Sequence, residues 1–288
     1  MFISHHHLHA YRSQTFRWLP NNRLKTKDEA IDFVKERGFI YFWPIKEVLL
    51  PSLWVAVAGD RPVADKHDDP GHITWNWKDS SLGTHDWYYA KVLRKKATLI
   101  AMDVVPYFYA LSENYGDPEG DYLTLYEQGR LSQEAKVIYE VLLHEGAMDT
   151  ISLKGAARMG NRESESRFNR ALTELQADFK VVPVAVTQAG SWHYAFSYDL
   201  VFRHYPEIIE QARFISPRQA RLKLIELYIR SVGAVTINDI VRLFQWQTDQ
   251  VFQDVQILAE RGFLHHDVEV EQYKEKCIVL SELTERDL

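Results

Sequence analysis

The sequence predicts a mainly helical protein with small β wings, arranged as tandem winged helix-turn-helix domains. Three observations carry that expectation. Residues 135–186 are restated by residues 222–270: in each stretch an apolar helix runs into Gly-Ala, at Gly146-Ala147 and Gly233-Ala234. A short helix, a longer helix and two extended runs follow in both copies, and the longer helices carry apolar residues at helical spacing: Phe168, Ala171, Leu172 and Leu175, then Val251, Val255 and Leu258. Three helices followed by a hairpin is the order of the winged helix-turn-helix, whose third helix most often faces nucleic acid.

Residues 1–24 read as irregular and polar-aromatic, with His5, His6, His7 and His9 as the dense histidine cluster. No carboxylate or cysteine adjoins them, so no native metal site is expected. Thr26 and Glu29 form a capping box for a helix over residues 27–37, which Gly38 stops. Residues 39–43 are aromatic and extended up to Pro44, which forbids helix at Trp43. Ser52 caps a short helix, residues 60–81 read as a long polar loop, and residues 86–97 read as a helix capped by Thr84. Residues 98–102 look extended, and the Gly- and Pro-rich stretch 114–121 marks a linker. The expected domains are therefore 1–118, an α/β unit carrying the polar-aromatic loop, then winged helices at 119–212 and 213–288. In the first of these, Ser132 caps the opening helix, a hairpin turn falls at 188–191, and Trp192, Tyr194, Phe196 and Tyr198 alternate along the returning strand. Ser216-Pro217 opens the second.

A length of 288 residues with 46% apolar side chains allows each domain a core of its own. No stretch approaches the roughly 18 apolar residues of a membrane span, and no signal peptide is evident, so a cytoplasmic site is expected. The single cysteine, Cys277, lies in the apolar run Cys277-Ile278-Val279-Leu280 and reads as a buried strand residue. No cofactor is implied, because phosphate-cradling glycine loops, nucleophile elbows and Cys/His pairs are all missing.

Overall charge is −6, but its placement separates the two repeats. From 154 to 170, Lys154, Arg158, Arg162, Arg167 and Arg170 outnumber Glu163 and Glu165. From 236 to 260, Arg242 stands alone against Asp239, Asp249, Asp254 and Glu260, and residues 267–288 are acidic as well. The first recognition helix thus suits a phosphate backbone, and the second repels one. Lys95 and Lys96 add basic density that would line one groove with the first recognition helix.

Chemistry is expected in the polar loop. Asp65, His67, Asp68 and Asp79 are the candidate acid–base groups. Tyr41, Trp43, Trp75 and Trp77 are candidate walls for a flat ring such as a flipped base. The alternative is that Asp-Pro-Gly at 69–71 is a turn, that Asp65 and Asp79 cap helices or pair with Arg61 and Lys78, and that Trp75 and Trp77 are core.

Over residues 134–264, the order helix, Gly-Ala, recognition helix, wing, Tyr198-Asp199-Leu200, Arg203 and Pro206 resembles the AlkZ/YcaQ-type DNA glycosylases. Those are tandem winged-helix proteins that bind alkylated or crosslinked DNA. The resemblance implies DNA as partner and, as activity, hydrolysis of an N-glycosidic bond. That family's catalytic Gln-x-Gln or Gln-x-Asp would fall immediately after Gly38, where this chain has Tyr41-Phe42-Trp43. Its His-Glu-Ala would lie near Ala101-Met102-Asp103, and it is absent. The chain reads as an AlkZ-related branch in which any catalytic base comes from Asp65, Asp68 or Asp79. The competing expectation is a non-catalytic winged-helix nucleic-acid binder or transcriptional regulator, with a protein partner on the acidic C-terminal module.

Overall fold

Three times along the chain a capped helix ends on a glycine, turns into a short strand and is followed by two helices and a hairpin. A computed structural model describes residues 1–66, 68–188 and 194–284. The N-terminal unit comprises helix Lys27–Arg37, strand Phe39–Tyr41, helices Leu53–Ala58 and Ile73–Asp79, and the hairpin Tyr88–Lys91 with Ala97–Ile100. In the middle unit the same parts are Gln133–Glu145, Met148–Asp149, Thr150–Ala156, Glu165–Ala177, and Val181–Thr187 with Ala195–Leu200. The C-terminal unit repeats them as Pro217–Val232, Ala234–Val235, Ile237–Phe244, Thr248–Glu260, and Leu264–Val270 with Cys277–Leu280. In every sheet the returning hairpin strand lies centrally, between the outgoing strand and the short strand. The protein is thus mainly helical with small sheets.

Local chemistry sets these boundaries. Thr26 and Glu29 make the expected capping box, and Ser52, Ser132 and Ser216 each accept a backbone N–H at a helix start. The buried stripes of the longer helices are the ones the spacing indicates: Phe168, Ala171, Leu172 and Leu175, and Val251, Val255 and Leu258. Cys277 is fully buried in its strand, and burial pushes its thiol pKa up to about 12.

Three expectations need correction. Residues 86–97 form no α-helix: Trp87, Tyr88 and Ala90 are buried and Lys91 is exposed, an extended pattern, and a single 3-10 turn at Leu93–Lys95 makes the hairpin. Residues 60–81 are not one loop, because Asp69 caps a turn at Pro70–His72 that leads directly into helix Ile73–Asp79. Residues 1–24 are ordered by the opposite end of the chain. Phe2–Ile3 pairs in parallel with Leu264–Val270, and Ser4 caps helix His5–Thr15, which packs on Pro217–Val232. Arg12 donates from Nε to the carbonyl of Val232 (2.9 Å) and from Nη2 to that of Ala234 (2.8 Å). These groups lie at the C-terminal end of helix Pro217–Val232, where carbonyls lack helical partners. Arg203 serves the middle unit alike, on the carbonyls of Leu142 and Leu143. The expected turn at 188–191 and Trp192 fall largely on residues 189–193, outside the described residues.

Apolar burial forms two clusters. One runs continuously from Ile3 through the N-terminal unit to Leu283 of the C-terminal unit. The other, from Tyr122 to Leu200, is the middle unit's own.

Gly146 and Gly233 hold corresponding positive-φ positions in their units, at φ 85° and 77°. A Cβ at Gly146 would meet nothing within 4 Å, whereas one at Gly233 would lie 2.8 Å from Tyr11 Cδ1 and 2.9 Å from Leu283 Cδ1. Gly146→Ala should therefore cost about 1–3 kcal/mol, the conformational term alone. Gly233→Ala adds overpacking of about 1–3 kcal/mol. Urea denaturation of both variants checks this, and equal losses would show that the N-terminal helix yields without cost.

Candidate functional site

Helix Ile73–Asp79 turns Thr74, Trp77 and Lys78 toward the interior, the i, i+3, i+4 stripe of a short amphipathic helix. Lys78 is thereby 1% exposed. Its Nζ lies 4.5 Å from the ring centre of Trp75, 4.6 Å from that of Phe196 and 5.4 Å from that of Tyr89, with Phe42 and Tyr194 also within 6 Å. The ammonium donates to the Tyr194 hydroxyl (2.9 Å) and pairs with Asp79 (2.8 Å), while Tyr194 donates to Asp79 (3.0 Å). Phe196 and Tyr194 belong to the middle unit's hairpin region, so this closed triangle ties that hairpin to the N-terminal unit. Burial lowers the lysine's pKa from 10.5, and Asp79 offsets part of that effect. Sequence reading offers the pairing of Asp79 with Lys78 as the alternative to a catalytic Asp79, and that pair is present; the burial of the lysine is signalled by its place on the apolar stripe of an aromatic helix.

The other expected site residues are dispersed. Asp65 and Asp68 are exposed, and among the described residues no hydrogen bond or ion pair joins either to Asp79. His67 lies outside the described residues. Asp69 pairs with Arg61 (2.6 Å) and accepts the N–H of Gly71 (2.8 Å), and these bonds hold its carboxyl below the usual range. His72 Nε2 lies 2.9 Å from the carbonyl of Ala64, so that ring braces the loop. Of the expected ring walls, Tyr41 and Trp77 are core residues. Burial pushes the Tyr41 phenol up to about 12. Trp43 and Trp75 are half-buried and meet edge to face, 5.5 Å apart at 63°, in contact with each other instead of framing a parallel slot.

The basic residues lie towards both ends of one helix. Arg158, Arg162, Arg167 and Arg170 are exposed along the start of helix Glu165–Ala177 and the turn before it. Lys154 pairs with Glu165 (2.9 Å) and lies over Phe168, and Arg167 pairs with Glu134 (3.3 Å). The turn Leu93–Lys95 packs against this same helix, whose buried Gln176 accepts the N–H of Lys91 (3.2 Å), and Lys95 and Lys96 are exposed beside it. On the corresponding C-terminal helix, Asp254 is buried and paired with Arg221 (2.6 Å), leaving Asp249 and Glu260 on the outer face with a half-exposed Phe252.

Comparison with known proteins follows the same lines. The AlkZ-related family matches residues 24–245. No curated protein sequence matches the chain. Among solved structures, the fold is similar to that of the Streptomyces sahachiroi DNA glycosylase AlkZ, with a TM-score of 0.62 over 99% of this chain and 72% of that one. Sequence identity is 15%, so the likeness is one of fold.

Lys78 gives a test in pH. A lysine whose folded pKa is lowered binds fewer protons folded than unfolded between the lowered value and 10.5, so its contribution to stability rises with pH over that interval. Lys78→Met keeps the length and removes the charge. The stability of the parent minus that of this variant should climb with pH as 10.5 is approached and then level, as read from denaturation midpoints. A difference flat in pH would mean that the ammonium is not desolvated. Lys78→Ala, which opens a cavity, should lose about 2–5 kcal/mol.

Proposed function

The chain belongs to the AlkZ-related family, and from that membership we propose that it is a DNA-binding protein of the repair type, built of winged helices, that recognises damaged bases in duplex DNA. The observation that carries this reading is the run of exposed arginines, Arg158, Arg162, Arg167 and Arg170, at the start of helix Glu165–Ala177 and the turn before it, with Lys95 and Lys96 exposed on the turn that packs against the same helix towards its C-terminal end. Each unit has the helix order and the sheet order of a winged helix, and in the middle unit the third helix is the cationic one. Phosphate contacts from such a face supply sequence-independent affinity and orient the duplex.

Recognition stands ahead of excision in this reading. The stretch after Gly38, where the family resemblance places the catalytic pair of polar side chains, holds Phe39, Ile40 and Tyr41, all buried. A phenol held near 12 gives up no proton at neutral pH. If the protein excises bases, its general base comes from Asp65, Asp68 or Asp79, and Asp79 is already tied to Lys78 and Tyr194.

Binding of fluorescent duplexes, intact and alkylated, over a salt series tests the proposal, with released base measured in the same tubes. Affinity should fall steeply with salt. Arg162→Ala, Arg167→Ala and Arg170→Ala combined should flatten the log–log salt slope by about 2–3, near 0.9 for each phosphate no longer neutralised. Preference for the alkylated duplex supports lesion recognition, and absence of binding at low salt defeats the reading. Base release that Asp79→Asn abolishes would add catalysis to it.

A further inference from the structure

The third helices of the middle and C-terminal units are both 13 residues long and align on their buried stripes, Phe168, Leu172 and Leu175 with Val251, Val255 and Leu258. In that alignment the outer positions of Arg167, Asn169 and Arg170 are taken by Gln250, Phe252 and Gln253. The left-handed residue that follows the second helix is Arg158 (56°) in the middle unit and Gln245 (59°) in the C-terminal one. One fold thus presents two surfaces of opposite character.

The surface of the C-terminal helix is continuous. Asp249, Phe252, Gln253, Gln256 and Glu260 are exposed at the i, i+3, i+4, i+7, i+11 spacing of one helix face. That face is about 16 Å from end to end, at roughly 1.5 Å per residue. Phe252 is 52% exposed. Asp254, on the inner side, is already paired with Arg221, whereas neither Asp249 nor Glu260 makes an ion pair among the described residues. Beyond Gln256 the face opens into a groove of about 470 Å³ between the helix and strand Leu264–Val270, with Ala259 and Leu264 in its floor and His265 and His266 at its edge.

Every group on this face is a partner for a guanidinium. Carboxylates take one through two oxygens, glutamine oxygens accept from it, and an exposed phenyl ring receives the cation on its face. A phosphate backbone, by contrast, is repelled by both carboxylates. The matching guanidinium groups stand on this same chain. Arg158, Arg162 and Arg170 are exposed and make no ion pair among the described residues, and Arg167 is held by Glu134 alone, at 3.3 Å.

We propose that the acidic face of helix Thr248–Glu260 is the docking site for the arginine run of a second copy of the chain. Two copies that exchange these faces reciprocally close a two-fold dimer in which each arginine run is covered. The same arginines hold the duplex in the DNA-binding reading above, so duplex and second copy exclude each other. That exclusion rests on the DNA-binding reading; the self-association does not.

Sedimentation velocity of the full chain tests it. At about 20 mM salt, where screening sets in only beyond about 20 Å, the chain should sediment as a dimer in equilibrium with monomer. At about 0.5 M salt, where screening acts within about 4 Å, it should be monomeric. Asp249→Asn combined with Glu260→Gln should weaken association about tenfold, and Phe252→Ala about fivefold. These side chains are exposed, so the denaturation midpoints of both variants should match the parent's. Arg162→Ala, Arg167→Ala and Arg170→Ala combined should abolish association, and one equivalent of a short duplex should convert the dimer into duplex-bound monomer. A chain that stays monomeric at about 100 µM and low salt overturns the proposal. Association that the acidic-face variants leave unchanged also overturns it. If no duplex binds while both sets of variants weaken association, the proposal stands and the DNA-binding reading falls.

Discussion

The seating of Val92 and Leu93 between the middle and C-terminal units decides where the basic residues of this chain face. Both are nearly buried, at 9% and 5% exposure, although the next three residues are Arg94, Lys95 and Lys96. An apolar pair can be buried beside three cations only if the chain reverses at once, and it does so through left-handed conformations at Arg94 and Lys95. Each costs about 1–2 kcal/mol, and burying a valine and a leucine returns about 1.5–3 kcal/mol apiece. The balance favours the seated tip. Once seated, the tip lies on helix Glu165–Ala177 and against helix Ile237–Phe244, so one short turn orients three units together.

A second tie acts at the opposite end of the same hairpins. Lys78 with Asp79 and Tyr194 is a poor source of stability, because desolvating an ammonium consumes much of what its partners return. Its value is geometric. The Tyr194 hydroxyl accepts from Lys78 and donates to Asp79, so any other placing of the middle hairpin would strand a charge in an aromatic enclosure. The tip and the lysine together tie the middle unit, which has an apolar cluster of its own, to the other two, and Phe179, Val182 and Val201 join it to their shared core.

Sequence reading reaches the parts of the fold that are specified locally. Caps at Thr26, Ser52, Ser132 and Ser216, glycine stops and the stripes of the two long helices depend on residues within one or two turns of each other. The third copy of the unit stays hidden because its third helix spans only Ile73–Asp79 and its strands only four residues each. Strands that short give too few alternations to outweigh the helix-forming composition of residues 86–97. Residues 1–24 are illegible for another reason: Phe2, Ile3 and Arg12 find their partners more than 200 positions away. The basic face is legible as charge density. Convergence of Phe108, Phe179, Phe244 and Trp246 is not, since these residues come from separate units and share no local pattern.

The strand after Gly38 serves packing. Phe39 packs edge-on against Phe108 (5.3 Å) and Phe244 (5.9 Å), and so helps hold the place where the three units meet. Polar amides at such a position would need hydrogen-bond partners, and the surroundings are aromatic. Tyr41, two residues on, already bears that penalty: its hydroxyl is buried without a partner among the described residues, a loss of about 1–3 kcal/mol. Neither residue can serve as a general base at neutral pH. What this strand supplies is aromatic packing at the junction of the three units, and the junction in turn orients the surfaces around it.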